Sequence, residues 1–211
     1  MRKLMNNPSQ ANLAEWNAGF TDSEGSINVN VFSDSRASTD YGMTPHYTLT
    51  HSYSAGLFDG DGCISMEVFK AEYYSTGYLQ RPKVSLTQVR QENDVVDQLC
   101  EFADRLGVEY NVRDVPQQEE GYMPKFEFTI RNRDSVKTYL QALLPHLVVK
   151  EEQARIMLEE IIPRMDRGMH TNKRGFLKIM EHADRMNEMK GGKRGKYNLE
   201  YFENEWGMTL D

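Results

Sequence analysis

Cysteine is scarce in this sequence of 211 residues, and long apolar runs are missing altogether. The two cysteines, Cys63 and Cys100, are too few for a disulfide framework or a cysteine-based zinc site. No apolar run approaches the roughly 18 residues of a membrane-spanning helix, and the first residues lack the apolar stretch of a signal peptide. A glycine-rich nucleotide-binding loop is also missing. We therefore expect an intracellular protein that neither enters a membrane nor binds a small-molecule cofactor.

A net positive charge is missing too, since the chain carries a formal charge of −7. Taken as a whole, this charge argues weakly against a nucleic-acid partner. However, residues 164–196 hold ten lysines and arginines and four acidic residues, a net +6, which leaves −13 for the rest of the chain. A local basic segment is what a polyanionic ligand requires, although a solvated helical tail has the same composition. Charge alone leaves both interpretations open.

What the sequence does contain is an internal repeat with a constant offset of 37 residues. Residues 17–52 align with residues 54–89 without a gap, and 13 of the 36 positions are identical. Each copy predicts a short helix through an Ala-Gly pair, ended by a glycine, and then two strands. The second strand of each copy is expected around residues 47–50 or 84–87.

Only the second copy continues into further regular elements. Apolar residues recur at helical spacing up to Gly107, which predicts a helix that stops at this glycine. Two alternating runs then predict strands, and three more helical patterns follow. The predicted bounds are 95–106 for the helix before Gly107, 108–112 and 125–131 for the strands, and 134–144 (capped by Asp134 or Ser135), 150–162 (ending before Pro163) and 174–189 for the later helices.

The two repeated motifs, residues 17–25 and 54–62, combine small residues with an acid at the helix end. Ala18, Gly19, Ala55 and Gly56 would let the two helices approach closely, which would bring Glu24 and Asp61 together. A helix C-terminus carries partial negative charge, so a carboxylate there is unfavourable unless a cation binds. Paired carboxylates at close range share a proton or bind a metal.

Two simpler interpretations compete with a metal site. Asp-Gly and Glu-Gly are common turn residues, although their repetition at a fixed offset weakens this explanation. An EF-hand loop is the other interpretation. Placing Gly62 at its sixth position puts Leu57 first and Val68 twelfth, where oxygen ligands are needed, so the spacing excludes it.

Both motifs resemble the signature of the LAGLIDADG homing endonucleases. Ser54–Gly62 is similar to that nonapeptide, with Ser54 in place of the first leucine, and the elements over residues 52–162 resemble the family's αββαββα half-domain. The resemblance implies an α+β fold with a duplicated N-terminal helix–hairpin and a C-terminal helical extension. The expected division is a truncated repeat at 1–52, a complete half-domain at 53–163 and a basic extension at 164–211.

The same resemblance implies a site-specific endonuclease for double-stranded DNA, of the kind linked to intron or intein mobility. It implies hydrolysis of a phosphodiester with Mg²⁺ held by Asp61 and Glu24. A glutamine that orders water is implied at Gln91, with Gln88 as the alternative, and a lysine near the scissile phosphate at Lys150. The expected DNA contacts are Lys83, Ser85, Thr87, Gln88, Lys125, Thr129, Arg131, Lys193, Arg194 and Lys196.

The first copy departs from the family pattern, because it lacks the second helix, the second hairpin and the third helix. In the first copy, the position that corresponds to Gln91 is Ser54, and no residue corresponds to Lys150. Three arrangements stay open: a homodimer through the motif helices, a truncated partner within one chain, or a duplication that has abolished cleavage. The last would leave a DNA- or RNA-binding regulator or an intron maturase.

Overall fold

The computed structural model describes residues 16–20, 44–90, 95–115, 123–190 and 195–210. A short helix, α1, spans 16–20. The other elements are α2 (Thr44–Asp61), β1 (Gly62–Lys70), β2 (Tyr78–Val89), α3 (Val96–Arg105), β3 (Asn111–Val115), β4 (Lys125–Ile130), α4 (Arg133–Leu143), α5 (Glu151–Arg155), a π-helical segment (Ile156–Ile161), α6 (Ile162–Asp166), α7 (Lys173–Glu188) and α8 (Leu199–Trp206).

The four strands form one antiparallel sheet in the order β1-β2-β4-β3. Strand β2 pairs with β1 along its length, and from Val84 onward it also pairs with β4, where Val84 lies opposite Ile130. Because successive side chains of a strand alternate between faces, Val84 and Leu86 are buried under the helices, while Lys83 and Ser85 belong to the opposite, open face.

The helices cover one face of this sheet and share a single aromatic core with it. Phe102 of α3 and Phe58 of α2 both pack edge-on against the buried Tyr139 of α4, with ring centroids 5.6 and 6.2 Å apart. At the other end of the sheet, Phe202 of α8 packs 4.9 Å from Tyr78 of β2. The C-terminal helices therefore belong to the same core as the sheet.

The α+β fold and the strand, strand, helix, strand, strand, helix order after the second motif are confirmed. Gly107, the expected helix stop, has a left-handed φ of 65°, which favours glycine. The division into 1–52, 53–163 and 164–211 stays a prediction, and both of its boundaries fall inside helices, in α2 and α6. None of the described helices is long and apolar enough to cross a membrane.

One predicted strand is wrong, because residues 47–50 lie within helix α2. A strand needs a neighbour that satisfies its backbone N–H and C=O groups. In the second copy, β2 has β1 on one side and β4 on the other. The carbonyl groups of residues 44–50 can instead accept hydrogen bonds within the helix that continues to Asp61.

Three predicted element bounds also need correction. The strand expected at 108–112 runs from Asn111 to Val115, and α4 is capped by Asn132, whose side chain accepts hydrogen bonds from the backbone N–H groups of Asp134 and Ser135. The helical path continues past Pro163 to Asp166. The π-helical segment before Pro163 widens the turn where an α-helix would place the proline ring against an earlier carbonyl.

Candidate active site

Helices α1 and α2 pack backbone to backbone through a pair of glycines. A Cβ atom on Gly19 would lie 2.0 Å from the carbonyl oxygen of Tyr53, and one on Gly56 would lie 2.0 Å from the carbonyl oxygen of Trp16. No residue with a side chain can approach this closely. The predicted approach of the two motif helices is thus confirmed for Gly19 and Gly56, whereas Ala18 is exposed.

Asp59 is the polar centre of this helix contact and is only 2% exposed. One of its carboxylate oxygens accepts hydrogen bonds from the indole N–H of Trp16 at 2.9 Å and from the backbone N–H of Val148 at 2.7 Å. The other accepts the backbone N–H of Lys150 at 2.8 Å. One carboxylate thereby joins α1, α2 and the segment before α5. Sequence reasoning missed this role, although the identity of Asp22 and Asp59 in the repeat was a signal for it.

Asp61, the expected metal ligand, is the last residue of α2, and Gln88 lies beside it. The side-chain amide of Gln88 donates a hydrogen bond to a carboxylate oxygen of Asp61. Gln88 has this neighbour because the alternation of β2 turns it toward the helices, on the side opposite Lys83 and Ser85. Its expected contact with DNA stays a prediction. Glu24 and Gln91 lie outside the described residues, so their roles stay predictions.

Lys150 reaches the same end of helix α2. Its ammonium group donates hydrogen bonds to the carbonyl oxygens of Asp59 and of Gly60, the latter at 3.1 Å. These carbonyls belong to the negative end of the helix dipole, where a cation is favourable. The end of α2 therefore brings together Asp61, Gln88 and Lys150, three of the residues named from the sequence.

A cleft of about 450 Å³ opens next to this cluster. Phe20 of α1, Cys63 of β1 and Lys150 line it together with Lys190, which follows α7. The ammonium of Lys190 donates hydrogen bonds to the carbonyl of Ile64 and, at 3.2 Å, to the side-chain oxygen of Asn187. The cleft thus has two ammonium groups on its wall. Only the basic composition of residues 164–196 pointed toward Lys190.

The donor atoms at this site suit a hard divalent cation that is shared with a substrate. Asp61 offers carboxylate oxygens, and Mg²⁺ typically takes one or two carboxylates together with waters and phosphate oxygens. Within the described ranges, no three histidine, cysteine or acidic side chains come together to form a closed metal cage. The residues present therefore fit an ion that would complete its coordination with water and with oxygens of a bound ligand.

The open face of the sheet carries an ion-pair network around two glutamates. Lys83 of β2 lies 3.1 Å from Glu127 of β4 and 3.5 Å from Glu67 of β1. Glu67 also pairs with Arg81 at 2.8 Å and with Arg131 at 3.4 Å. Glu127 pairs with Arg113 of β3 at 2.6 Å. Four cations therefore surround two carboxylates on this face.

The pKa values of both glutamates reflect this surrounding charge. Burial alone raises the pKa of Glu67, but the hydrogen bond from Arg81 and the charges of Lys83 and Arg131 hold it below its ordinary value. Burial also raises the pKa of Glu127, but the hydrogen bonds from Lys83 and Arg113 outweigh it and hold the pKa below its ordinary value. Both side chains are thus ionised at neutral pH.

Apart from Gln88, which bonds to Asp61, the expected DNA contacts fall into three groups. Lys83 and Arg131 belong to the network, and Arg131 also donates to the hydroxyl of Thr129 at 2.9 Å. The ammonium group of Lys196 lies 5.1 Å from the ring centroid of Tyr197, and Lys193 and Arg194 lie outside the described residues. By strand alternation, the remaining ones share the open face with the network: Ser85, Thr87 and Lys125.

Comparison with known proteins agrees with this architecture. Residues 54–143 match the family model described as LAGLIDADG endonuclease. The solved structure of the homing endonuclease I-CvuI, bound to the I-CreI target and uncleaved in the presence of Mg, superposes with a TM-score of 0.63 at 24% identity, covering 78% of this chain and 99% of that one. A comparison with curated protein sequences gives no significant match.

Two more solved structures share the fold at lower identity. The archaeal intron-encoded homing endonuclease I-Vdi141I, complexed with DNA, has a TM-score of 0.59 and 18% identity over 74% of this chain and 96% of that one. The group I intron-encoded I-CeuI, also with DNA, has a TM-score of 0.58 and 17% identity over 79% and 78%. These features define an α+β fold shared with the solved homing endonucleases. The resemblance to the LAGLIDADG homing endonucleases is confirmed, by sequence over residues 54–143 and by fold beyond them.

Proposed function

We propose that this protein is a site-specific endonuclease that hydrolyses double-stranded DNA with the help of Mg²⁺. The main support is the meeting of Asp61, Gln88 and Lys150 at the end of α2, next to a cleft and a sheet face rich in cations. The solved structures of I-CvuI, I-Vdi141I and I-CeuI contain DNA, and those of I-CvuI were obtained with Mg or Ca.

Each residue of the cluster has a separate part in this proposal. Asp61 would hold the ion, which polarises the phosphate and a bound water when it is present. Gln88 fixes the orientation of the Asp61 carboxylate through its amide hydrogen bond. The ammonium group of Lys150 would stabilise the negative charge that grows on the phosphate oxygens during attack.

The open face of the sheet is the proposed DNA-binding surface. Arginine and lysine side chains contact phosphates and guanine edges, and a glutamate can accept a hydrogen bond from the amino group of cytosine. Arg81, Lys83, Arg113 and Arg131 would supply the cations, and Glu67 and Glu127 hold their long side chains in place before DNA arrives. Binding through several phosphates makes affinity fall steeply with salt.

A cleavage assay on selected targets tests the proposal. Duplexes that bind the full chain would be selected from a randomised pool, cloned into a supercoiled plasmid and incubated with the protein and Mg²⁺ or Ca²⁺. We expect a cut plasmid with Mg²⁺. Asp61→Asn should reduce cutting by at least about 10²-fold while binding is retained, because it removes the ion's carboxylate. The exposed Asp97→Asn in α3 is the matched control and should cut normally.

The alternative function, a non-cleaving regulator or maturase, makes the opposite prediction. It would bind the selected duplexes with the same salt dependence and leave them intact with either ion. Bound but uncut DNA at every Mg²⁺ concentration would therefore overturn the endonuclease proposal. If Asp61→Asn cuts at the full rate, the endonuclease proposal stands but the proposed role of Asp61 is wrong.

A further inference from the structure

The open face of the sheet changes character along strands β1 and β2. Near its middle, this face carries the charged side chains of Glu67, Arg81 and Lys83. Toward the turn between the two strands, the next open-face positions are Phe69 and Leu79, which lie opposite each other in the strand pairing. Residues opposed in this way have Cβ atoms about 5 Å apart on the same face. The sheet therefore ends in an apolar patch, formed by Phe69 and Leu79.

Phe69 is 43% exposed, and its ring is fixed from one side. The guanidinium carbon of Arg81 lies 5.0 Å from the centroid of this ring, which is a cation–π distance. Glu67 fixes Arg81 in turn, because one of its carboxylate oxygens accepts hydrogen bonds from the Nε at 3.2 Å and from the Nη2 at 2.8 Å. The ring is thus oriented before any ligand binds, while part of its surface stays open to solvent.

The apolar patch is too small to be the centre of a protein–protein interface. A specific interface buries about 800 Å² on each partner, whereas an aromatic side chain supplies about 150–250 Å². The patch also adjoins the cations of the open face, among them Arg81, Lys83 and Arg131. A ligand that suits both must carry negative charge together with a small apolar group. Double-stranded DNA does so, because thymine presents its C5-methyl group in the major groove between the phosphate backbones.

The length of β1 sets where such a thymine would lie. The strand begins directly after Asp61, and Phe69 follows this acid by eight residues. At about 3.3 Å per residue, the strand covers roughly 26 Å between the two positions. A duplex rises about 3.4 Å per base pair, so this length corresponds to about seven or eight base pairs when β1 runs along the duplex.

We infer that Phe69, with Leu79 beside it, contacts the C5-methyl group of a thymine that lies about seven or eight base pairs from the position of cleavage. This inference rests on the proposed function, in which the open face binds double-stranded DNA. The contact removes the methyl group and the free side of the ring from water together. The methyl group of 5-methylcytosine occupies the same ring position, so the patch also favours a methylated cytosine over an unmethylated one.

Removing the methyl group from the DNA tests this contact on the unmodified chain. A selected duplex would be prepared with uracil in place of one thymine at a time, and its affinity for the full chain measured without Mg²⁺. The substitution about seven or eight base pairs from the cut position should weaken binding about fourfold, the factor expected for one buried methyl group. With cytosine at that position, 5-methylation should tighten binding by a similar factor.

Two variants identify the side chain responsible. Phe69→Ser removes the ring from an exposed position, so its circular dichroism spectrum should be unchanged and it should bind the thymine and uracil duplexes equally. Met123→Ser is the matched control, because Met123 is an apolar residue that is 57% exposed and precedes β4 at the opposite end of β2. This variant should keep the fourfold difference between the two duplexes.

Each outcome bears either on Phe69 or on the proposed function. If the target is cut but has no thymine at that distance, or no uracil substitution there weakens binding, the methyl contact is wrong and the endonuclease proposal stands. A uracil effect that persists in Phe69→Ser also overturns the role of Phe69. If selected duplexes bind but are never cut, the endonuclease proposal fails, and the uracil series still decides the methyl contact. If no duplex binds, both are wrong.

Discussion

Both copies of the repeat contain a helix through the Ala-Gly pair, but the matching residues 44–50 and 81–87 have different structures. The Ala-Gly segments at 18–19 and 55–56 are both helical, and their glycines meet across one contact. Residues 44–50 are helical, however, whereas the matching residues 81–87 form part of strand β2. The two segments are identical at three of seven positions, so related local sequences form either structure, and we attribute the difference to the neighbours available to each.

The prolines of the two copies illustrate this difference. Pro45 is the second residue of helix α2, within the first turn, where a backbone N–H has no partner in the helix. Pro82, its counterpart, lies in β2 opposite Met66, before the point at which β4 begins to pair. Each proline therefore falls where a missing N–H donor costs little. A proline alone cannot distinguish the two outcomes.

The largest expected effect comes from disrupting the contact between the copies. Gly56→Leu would place a side chain against the backbone of Trp16, so we expect the free energy of unfolding to fall by about 3 kcal/mol. Urea denaturation followed by circular dichroism measures this loss. Gly195→Leu is the control, because no atom lies within 4 Å of a Cβ there. Equal losses in the two variants would contradict a tight contact at Gly56.

A smaller effect is expected from the repeated aspartates. Asp59→Asn weakens three hydrogen bonds to one carboxylate and should lower the free energy of unfolding by about 2 kcal/mol. The matched change in the first copy, Asp22→Asn, should cost less, since that copy has no counterpart of the segment before α5. Calorimetric unfolding of both variants makes the comparison, and a greater loss in Asp22→Asn would reverse it.

Trp16→Phe should have a still smaller effect on the same contact. This change removes the hydrogen bond to Asp59 but leaves an aromatic ring to pack on Phe20, so we expect a loss of about 1 kcal/mol in urea unfolding. Trp16→Ala should lose clearly more, because it also removes the ring. If both variants match the unmodified chain, Trp16 does not help to hold α1.

The smallest effect concerns charge, and it depends on pH. The lowered pKa of Glu67 means that its ion pairs stabilise the fold above its ordinary pKa of 4.5, and this contribution is lost as pH falls through the folded-state pKa. Near neutrality, Glu67→Gln should therefore have a lower free energy of unfolding than the unmodified chain, by about 1 kcal/mol or less. This difference should disappear well below pH 4.5. Urea unfolding at both pH values tests this.

Asn30 provides the comparison with the other copy, since it occupies the position that corresponds to Glu67. An amide does not titrate, so Asn30→Gln should leave the pH dependence of stability unchanged. If the stability difference between Glu67→Gln and the unmodified chain is the same at both pH values, ionisation of Glu67 does not contribute to stability.

Features set by local pattern were predictable from the sequence. Helix α7 buries Phe176, Ile179, Ala183 and Met186, the four residues expected on its inner face from their helical spacing. The motif helix ending at Asp61 and the stop at Gly107 also followed from local signals. The placement of Lys150 beside this helix end came from the family resemblance, because local pattern gives no information on a contact 90 residues apart.

Features set by packing between distant segments were not predictable. The role of Asp59 depends on donors from α1 and from the segment before α5, and the pairing of Lys83 with Glu127 depends on strand register across 44 residues. The helical state of residues 44–50 depends on which strands are available to pair. In each case, periodicity describes one element but does not specify its neighbours.

The ion-pair network around Glu67 and Glu127 has a consequence for how the proposed DNA-binding face would distinguish one DNA sequence from another. Its cations are already satisfied by these carboxylates before any ligand arrives. A nucleic acid that settles on this surface must exchange existing partners for its own, and a mismatched sequence that leaves one group unpaired is penalised for it. If the open face binds DNA as proposed, the two acids would therefore increase discrimination among sequences and lower the overall affinity.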